Sequence, residues 1–333
     1  MGLSGGSGLE LGRVRVGVIG TGFGARVVAP VFASLDGCEV VDVVSARDVA
    51  AVERMCRRTD LDLVSVHSPP FVHASDVRLA VANGHNVLCD KPFAMDGREA
   101  ESLLREAERA KVVHLVNFEF RHHPVRVRIK DLVDAGAIGR PHHVHWTHLS
   151  SGSRVPLRPH GWLFERDLGG GWVGAFGSHA VDFVRWVFGE IVEAEADLRI
   201  EVDQRPDATG ELRPVDAEDG FSAWLRTDRG VSVAIDSSFA CAATYAPRLV
   251  VNGTEGVLEC VADSRLTLQR DGGTRDVVKV DNGTDPHVEP MRRWAEVVRD
   301  AVRDHHQVEP SFSDGLACDQ VLDQLRLGWR TDR

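Results

Sequence analysis

The chain has 333 residues, 43% hydrophobic and 27% charged, with a formal net charge of −11. Its length exceeds what one ordinary core organises and its composition is that of a globular protein, which excludes a disordered or collagen-like chain and makes two domains the starting expectation. The acidic balance leaves no excess of cations to replace phosphate counterions, so no nucleic-acid partner is expected.

Residues 1–12, rich in Gly and Ser, read as a flexible leader. From Arg13 onward, short Val-rich runs alternate with longer amphipathic stretches, the rhythm of strands and crossover helices in a parallel sheet. Strands are expected at Val14 to Ile19, Glu39 to Val44, Leu63 to Val66, Asn86 to Cys89 and Val112 to Val116. Helices are expected at Ala25 to Ser34, Val49 to Arg57, Val72 to Ala82 and Arg98 to Ala110, where apolar residues recur three and four apart. After Phe120 the rhythm changes to one helix and then longer strands, among them His142 to His148, Glu193 to Val202, Gly220 to Leu225 and Ser232 to Ser237. Helices over Val288 to Val302 and Asp314 to Leu327 close the chain. The pattern predicts an α/β protein: a doubly wound parallel domain over 13–120 and an α+β domain with a largely antiparallel sheet over 121–333.

No apolar run approaches the roughly 20 residues that cross a bilayer, and the start lacks the basic-then-apolar order of a secretory signal. A cytoplasmic protein with no membrane partner is expected. Cys38, Cys56, Cys89, Cys241, Cys260 and Cys318 stand singly, without metal-ligand spacing, and read as reduced thiols; no metal is expected.

Gly20, Gly22 and Ala25 form a G-x-G-x-x-A turn directly between the first strand and the first helix. There Gly20 permits a tight turn, Gly22 lets backbone approach a pyrophosphate, and Ala25 lets helix and strand pack, so Gly20, Thr21, Gly22, Phe23, Gly24 and Ala25 are candidate dinucleotide contacts. An acidic residue about 20 positions further on commonly holds the NAD ribose. That place holds Ser45, followed by Arg47, a hydroxyl and a cation that suit a 2′-phosphate, so NADP is expected over NAD. Asp90-Lys91-Pro92 follows the fourth strand and sets a rare lysine at the carboxyl edge of the sheet, where doubly wound folds bind ligands. A lysine there can move a proton; an arginine cannot.

With these residues the sequence resembles the Gfo/Idh/MocA oxidoreductases. The likeness runs from Gly17 to Ala25 through Ser68-Pro69-Pro70 with His73, Gly84 to Pro92 (a variant of that family's AGKHVLCEKP), Phe120-Arg121 with Pro124, Trp162, and Gly169-Gly170-Gly171 leading to Gly177-Ser178-His179-Ala180-Val181-Asp182. The resemblance implies a Rossmann domain, a second domain with an open-faced sheet and an active site between them. By position it makes Lys91 and His179 catalytic, with Lys91, Trp162 and His179 facing substrate. It adds Ser68, Pro69, His73, Asp90, Lys91, Pro92 and Arg121 to the cofactor contacts, with Asp182 in support. It also implies a homodimer or homotetramer.

One departure stands out. Many relatives carry an aspartate four residues before the histidine, and here that residue is Ala175. Three explanations follow: a reductase relying on Lys91, a carboxylate brought from elsewhere with Glu165 and Asp167 nearest in sequence, or a protein that binds dinucleotide without turnover. The expected function is hydride transfer between nicotinamide and a hydroxyl or carbonyl carbon of a sugar, cyclitol or related small polar substrate. The alternatives are a dinucleotide-dependent sensor or co-regulator and an NAD-assisted glycosidase.

Overall fold

The structure, a computed structural model, describes residues 12–281 and 283–327. Apart from Gly12, the leader expected over 1–12 lies outside the described residues. The first half alternates as anticipated: β1 (Val14–Ile19), α1 (Ala29–Ser34), β2 (Cys38–Val44), α2 (Val49–Cys56), β3 (Leu63–Val66), α3 (Pro70–Ala82), β4 (Asn86–Cys89), α4 (Gly97–Ala110) and β5 (His114–Val116). The five strands form one parallel sheet in the order β2-β1-β3-β4-β5. All residues of β3 and β4 are buried, which is why these strands read as continuous apolar runs and not as alternations. The first crossover differs from the regular helix expected over Ala25 to Ser34: Gly24–Val28 is a π-helical turn, and only Ala29–Ser34 is α-helical.

The remaining elements are α5 (Pro124–Asp134), β6 (Pro141–Leu149), α6 (Ser178–Phe188), β7 (Ile191–Arg199), β8 (Gln204–Pro206), β9 (Leu212–Pro214), β10 (Gly220–Thr227), β11 (Ser232–Ser238), β12 (Arg248–Gly253), β13 (Val257–Val261), β14 (Arg265–Arg270), β15 (Gly273–Lys279), α7 (Val288–Arg303) and α8 (Phe312–Arg326). Eight of these strands form one sheet, ordered β15-β14-β13-β12-β6-β11-β10-β7, antiparallel except where β11 runs parallel to β6. Alternate residues of β10 and β11, such as Phe221, Leu225, Val233 and Ile235, are buried, and they share a core with Val181, Val184 and Val187 of α6.

The C-terminal helices connect the two halves expected on either side of residue 120. Met291, Trp294, Ala295 and Val298 of α7 join Val16, Val18 and Phe32 in one buried cluster, so α7 belongs to the first sheet's helical layer. Helix α8 bridges the halves: Phe312 meets Phe93 with ring centroids 4.3 Å apart, and the Cys318 thiol contacts the Ser178 carbonyl. A single core therefore runs from Val64 and Phe93 through Phe312 to Val173 and Phe176, and it fixes the cleft between the two sheets.

Candidate active site

The glycine turn leaves β1 at the carboxyl edge of the first sheet. Gly20 has φ of +131°, and a Cβ there would lie 2.3 Å from the His67 carbonyl oxygen, so a side chain is excluded twice over. Gly22 is the opposite case, with nothing within 4 Å of an added Cβ. That open space fronts the first turn of a helix, whose leading N–H groups have no partners within the helix, and it suits the close approach of a diphosphate. The residues present therefore fit a dinucleotide. At the end of β2, Ser45 Oγ accepts the Arg47 N–H at 3.3 Å, and the Arg47 side chain is exposed with no ion pair among the described residues.

Asp90 is the hub of the fourth strand's exit. Its carboxylate meets His67 Nδ1 at 3.0 Å and accepts the Lys91 N–H at 2.9 Å, while Ser65 Oγ holds His67 Nε2 from behind at 2.7 Å. Burial alone would lift the Asp90 carboxyl, but the His67 hydrogen bond and the neighbouring Lys91 and His73 hold it well below the usual carboxylate range. The Lys91-Pro92 peptide is cis. Lys91 Nζ donates to the Ala175 carbonyl oxygen at 2.8 Å, across the cleft between the domains.

Opposite Lys91, Val173–Gly177 is a second π-helical turn, running directly into α6. The glycines before it have a steric reason: at Gly171, with φ of +106°, a Cβ would lie 2.2 Å from the buried Glu218 carboxylate, which accepts the Val173 N–H. His179 follows, 5% exposed, and neither ring nitrogen has a hydrogen-bond partner among the described residues. Burial, then the charges of Lys91, Arg126 and His287, pushes its pKa far down, so the imidazole is neutral. Lys91, Ala175 and His179 line one cavity of about 480 Å³. Its walls include Trp162, Trp172, Phe120 and His148, and Arg158 stands exposed among the lining residues.

Two family descriptions match the chain: an oxidoreductase family with an NAD-binding Rossmann fold over residues 14–118, and a GFO/IDH/MocA C-terminal domain over residues 127–259. The chain belongs to the Gfo/Idh/MocA oxidoreductase family. It is 30% identical over 221 residues to an uncharacterised oxidoreductase of Synechocystis, covering 61% of this chain and 60% of that one, so the match spans under two thirds of that relative's length. It is 29% identical over 342 residues to inositol 2-dehydrogenase 3 of Saccharopolyspora erythraea, covering 95% of this chain and 94% of that one. Levoglucosan dehydrogenase in complex with NADH and levoglucosan superposes with a TM-score of 0.84 at 21% identity, over 94% of this chain and 96% of that one, a likeness of fold.

Two of the residues expected at the cofactor are held by other parts of the chain. His73 is fully buried with its ring nitrogens at the Ser68 and Pro92 carbonyls, 2.7 and 3.1 Å away, so it ties α3 to the lysine loop and has no free edge. Arg121 is spent on Asp182 and Asp314, at 2.6 and 2.8 Å, a buried ionic knot joining the domains. That knot also removes Asp182 as a partner for His179. Ser68 turns its hydroxyl to Asp76 at 2.9 Å. Glu165 and Asp167, the carboxylates considered as replacements at position 175, do not line the cavity; Asp263 does, paired with Arg126 at 3.0 Å. Sequence reasoning missed His67, Asp263, His287 and its partner Glu119, because no spacing links residues so far apart in the chain.

Among the described residues no helix is long and apolar enough to cross a membrane.

Proposed function

We propose that the protein interconverts a hydroxyl and a carbonyl carbon on a sugar, cyclitol or related small polar substrate, in the cavity between Lys91 and His179. A bound nicotinamide dinucleotide would supply the hydride acceptor in one direction and the donor in the other. The observation that carries this is the convergence of a lysine ammonium and a buried, neutral, unpartnered imidazole on one cavity beside the dinucleotide-type glycine turn. A buried polar edge without a partner costs free energy unless a ligand satisfies it, so His179 argues for an occupant that brings hydroxyls.

The roles follow from position. Asp90, fixed by His67, sets the backbone of Lys91. Lys91 hydrogen-bonds the reacting oxygen and handles its proton; His179, neutral, donates or accepts one further hydrogen bond and fixes the substrate's face. Trp162 and Trp172 offer flat apolar walls to the C–H surface of a ring. Gly20 to Ala25 would hold the diphosphate, with Pro69 and Pro92 bordering it. Ser45 and the unpaired Arg47 favour NADP, because a guanidinium stabilises a 2′-phosphate where a carboxylate would repel it.

A panel of cyclic polyols, anhydrosugars and their ketones, followed by nicotinamide absorbance with both dinucleotides, tests the function. Turnover of at least one ring polyol or its ketone is expected; no turnover across the panel in either direction overturns the proposal. Self-association as a dimer or tetramer is likewise proposed, with sedimentation velocity as the measurement; a monomer at micromolar concentration overturns it.

A further inference from the structure

Position 175 offers only a methyl group, so a proton handled by Lys91 needs another route to solvent. A carboxylate–imidazole pair stands at the same cavity. His287, at the entry to α7, lines the cavity, and its Nδ1 lies 2.8 Å from Glu119 Oε1, contributed by the 3₁₀ turn Glu119–His122. We propose that His287 is the terminal acid/base of the reaction, oriented by Glu119 and taking the place of the missing carboxylate. This rests on the oxidoreductase function proposed above.

Three observations carry it. A carboxylate only accepts, so Nδ1 carries the hydrogen, and Nε2 is left with its lone pair on the opposite edge of the ring. Glu119 is 1% exposed and its second oxygen, Oε2, has no hydrogen-bond partner among the described residues. A carboxylate so buried is poorly compensated until a cation forms beside it, which is what proton arrival at His287 provides. Finally, the His287 ring lies where cofactor turn and substrate cavity meet. It is 5.2 Å from Phe23 of the glycine turn and 5.0 Å from Phe120, which also meets His179 at 4.7 Å. The His287 side chain is 35% exposed, so it also reaches bulk water. The charged or titratable groups around it are Glu119, His179 of α6, Arg126 of α5 across the Phe120 ring, and Asp285 in its own turn.

The step balances in the oxidising direction as follows. The carbinol C–H bond breaks and its hydrogen leaves with the bond pair, as the hydride that a bound oxidised dinucleotide would accept; the O–H bond pair becomes the second C=O bond. The released proton passes from the oxygen to Lys91 as the ammonium gives one of its own protons to Nε2 of His287, which passes it to water. Reduction reverses every movement.

Two measurements test this, one without turnover. In the apoprotein labelled with ¹⁵N-histidine, His287, assigned by its loss in His287→Gln, is expected mainly as the Nδ1–H tautomer, and Glu119→Gln is expected to shift that equilibrium. A wild-type Nε2–H tautomer, or resonances indifferent to Glu119→Gln, overturns the proposal. In turnover with the best ring polyol of the panel, His287→Ala is expected to lower kcat by about 10²- to 10³-fold with KM and dinucleotide Kd within about twofold, and added imidazole to restore much of the rate. An unaltered kcat, or a loss that imidazole does not rescue, overturns the role of His287. If Lys91→Met is inactive in that same assay, the oxidoreductase function still stands. If Lys91→Met also turns over normally, the role of Lys91 fails and the function stands; the function itself fails only if the wild type turns over nothing in the panel.

Discussion

The ammonium of Lys91 donates to the backbone carbonyl of Ala175, 2.8 Å away, and the two residues lie on opposite walls of the cleft. A neutral carbonyl orients the ammonium without cancelling its charge. That uncancelled charge is one reason His179 stays neutral, after burial itself. The accepting carbonyl belongs to the π-helical turn Val173–Gly177, a departure from α-helical geometry of the kind that recurs at functional sites.

Replacing Lys91 by Met removes the proton handle and keeps most of the stem's packing. Turnover is expected to fall by about 10²- to 10⁴-fold while dinucleotide affinity, read by quenching of tryptophan fluorescence, changes little. Lys91→Arg is expected to be nearly as inactive, since a guanidinium does not release its proton in the working pH range. An active Lys91→Arg variant would show that the residue acts by charge alone.

Arg121 makes a different kind of contribution. Asp182 and Asp314 both depend on its guanidinium, and all three side chains are almost fully shielded from water. Arg121→Met leaves the buried Asp182 carboxylate without its ion pair and Asp314 with only a longer 3.8 Å contact to Arg185, a change that typically costs about 3–5 kcal/mol. A matching fall in urea-unfolding stability is expected, with dinucleotide affinity of the folded fraction unchanged. A stable variant with weakened dinucleotide binding would return Arg121 to the cofactor site.

Much of this architecture was legible in the sequence, and the failures have physical causes. The strands Val14–Ile19, Leu63–Val66 and Asn86–Cys89 are legible because both their faces are buried and glycine or polar turns delimit them. The glycine turn and Lys91 stood out by their places at the ends of strands, whereas His179 was singled out only through the family resemblance. The two π-helical turns left no signal: one inserted residue per turn does not disturb apolar periodicity enough to see. The amphipathic stripe of helix α7 says that a face is covered, not which sheet covers it, so its packing beside β1 was not legible. The Glu119–His287 pair joins residues 168 positions apart, a distance no motif spans.

Dinucleotide preference turns on two side chains at the end of β2. Ser45→Asp places a carboxylate where the ribose edge is expected, and is predicted to weaken NADPH by about tenfold or more while NADH gains or holds. Arg47→Ala is predicted to weaken NADPH alone. Fluorescence titrations with both dinucleotides give the ratio directly; a wild type that binds NADH more tightly than NADPH refutes the preference.

Acid sensitivity follows from buried histidines. Burial, then the charges of Arg121 and Arg293, pushes the His122 pKa down to about 4, and burial likewise takes His148 to about 4, with Asp263 opposing and Arg126 assisting. In the unfolded chain an imidazole titrates near about 6.5. Between those values the unfolded state binds more protons, so the stability these groups contribute is intact above the upper value and lost as pH falls toward the lower one. Asp76 works in the opposite sense: burial raises its carboxyl to about 6, against a hydrogen bond from Ser68, so ionising it costs stability as pH rises from its unfolded value near about 4. Asp76→Asn is therefore expected to raise stability at pH 7, by at most about 2–3 kcal/mol, and to have little effect near pH 4. His148→Gln should flatten the decline between those limits. Urea midpoints measured across that range for the three proteins decide it: parallel curves for wild type and His148→Gln would mean that His148 is protonated in the folded state.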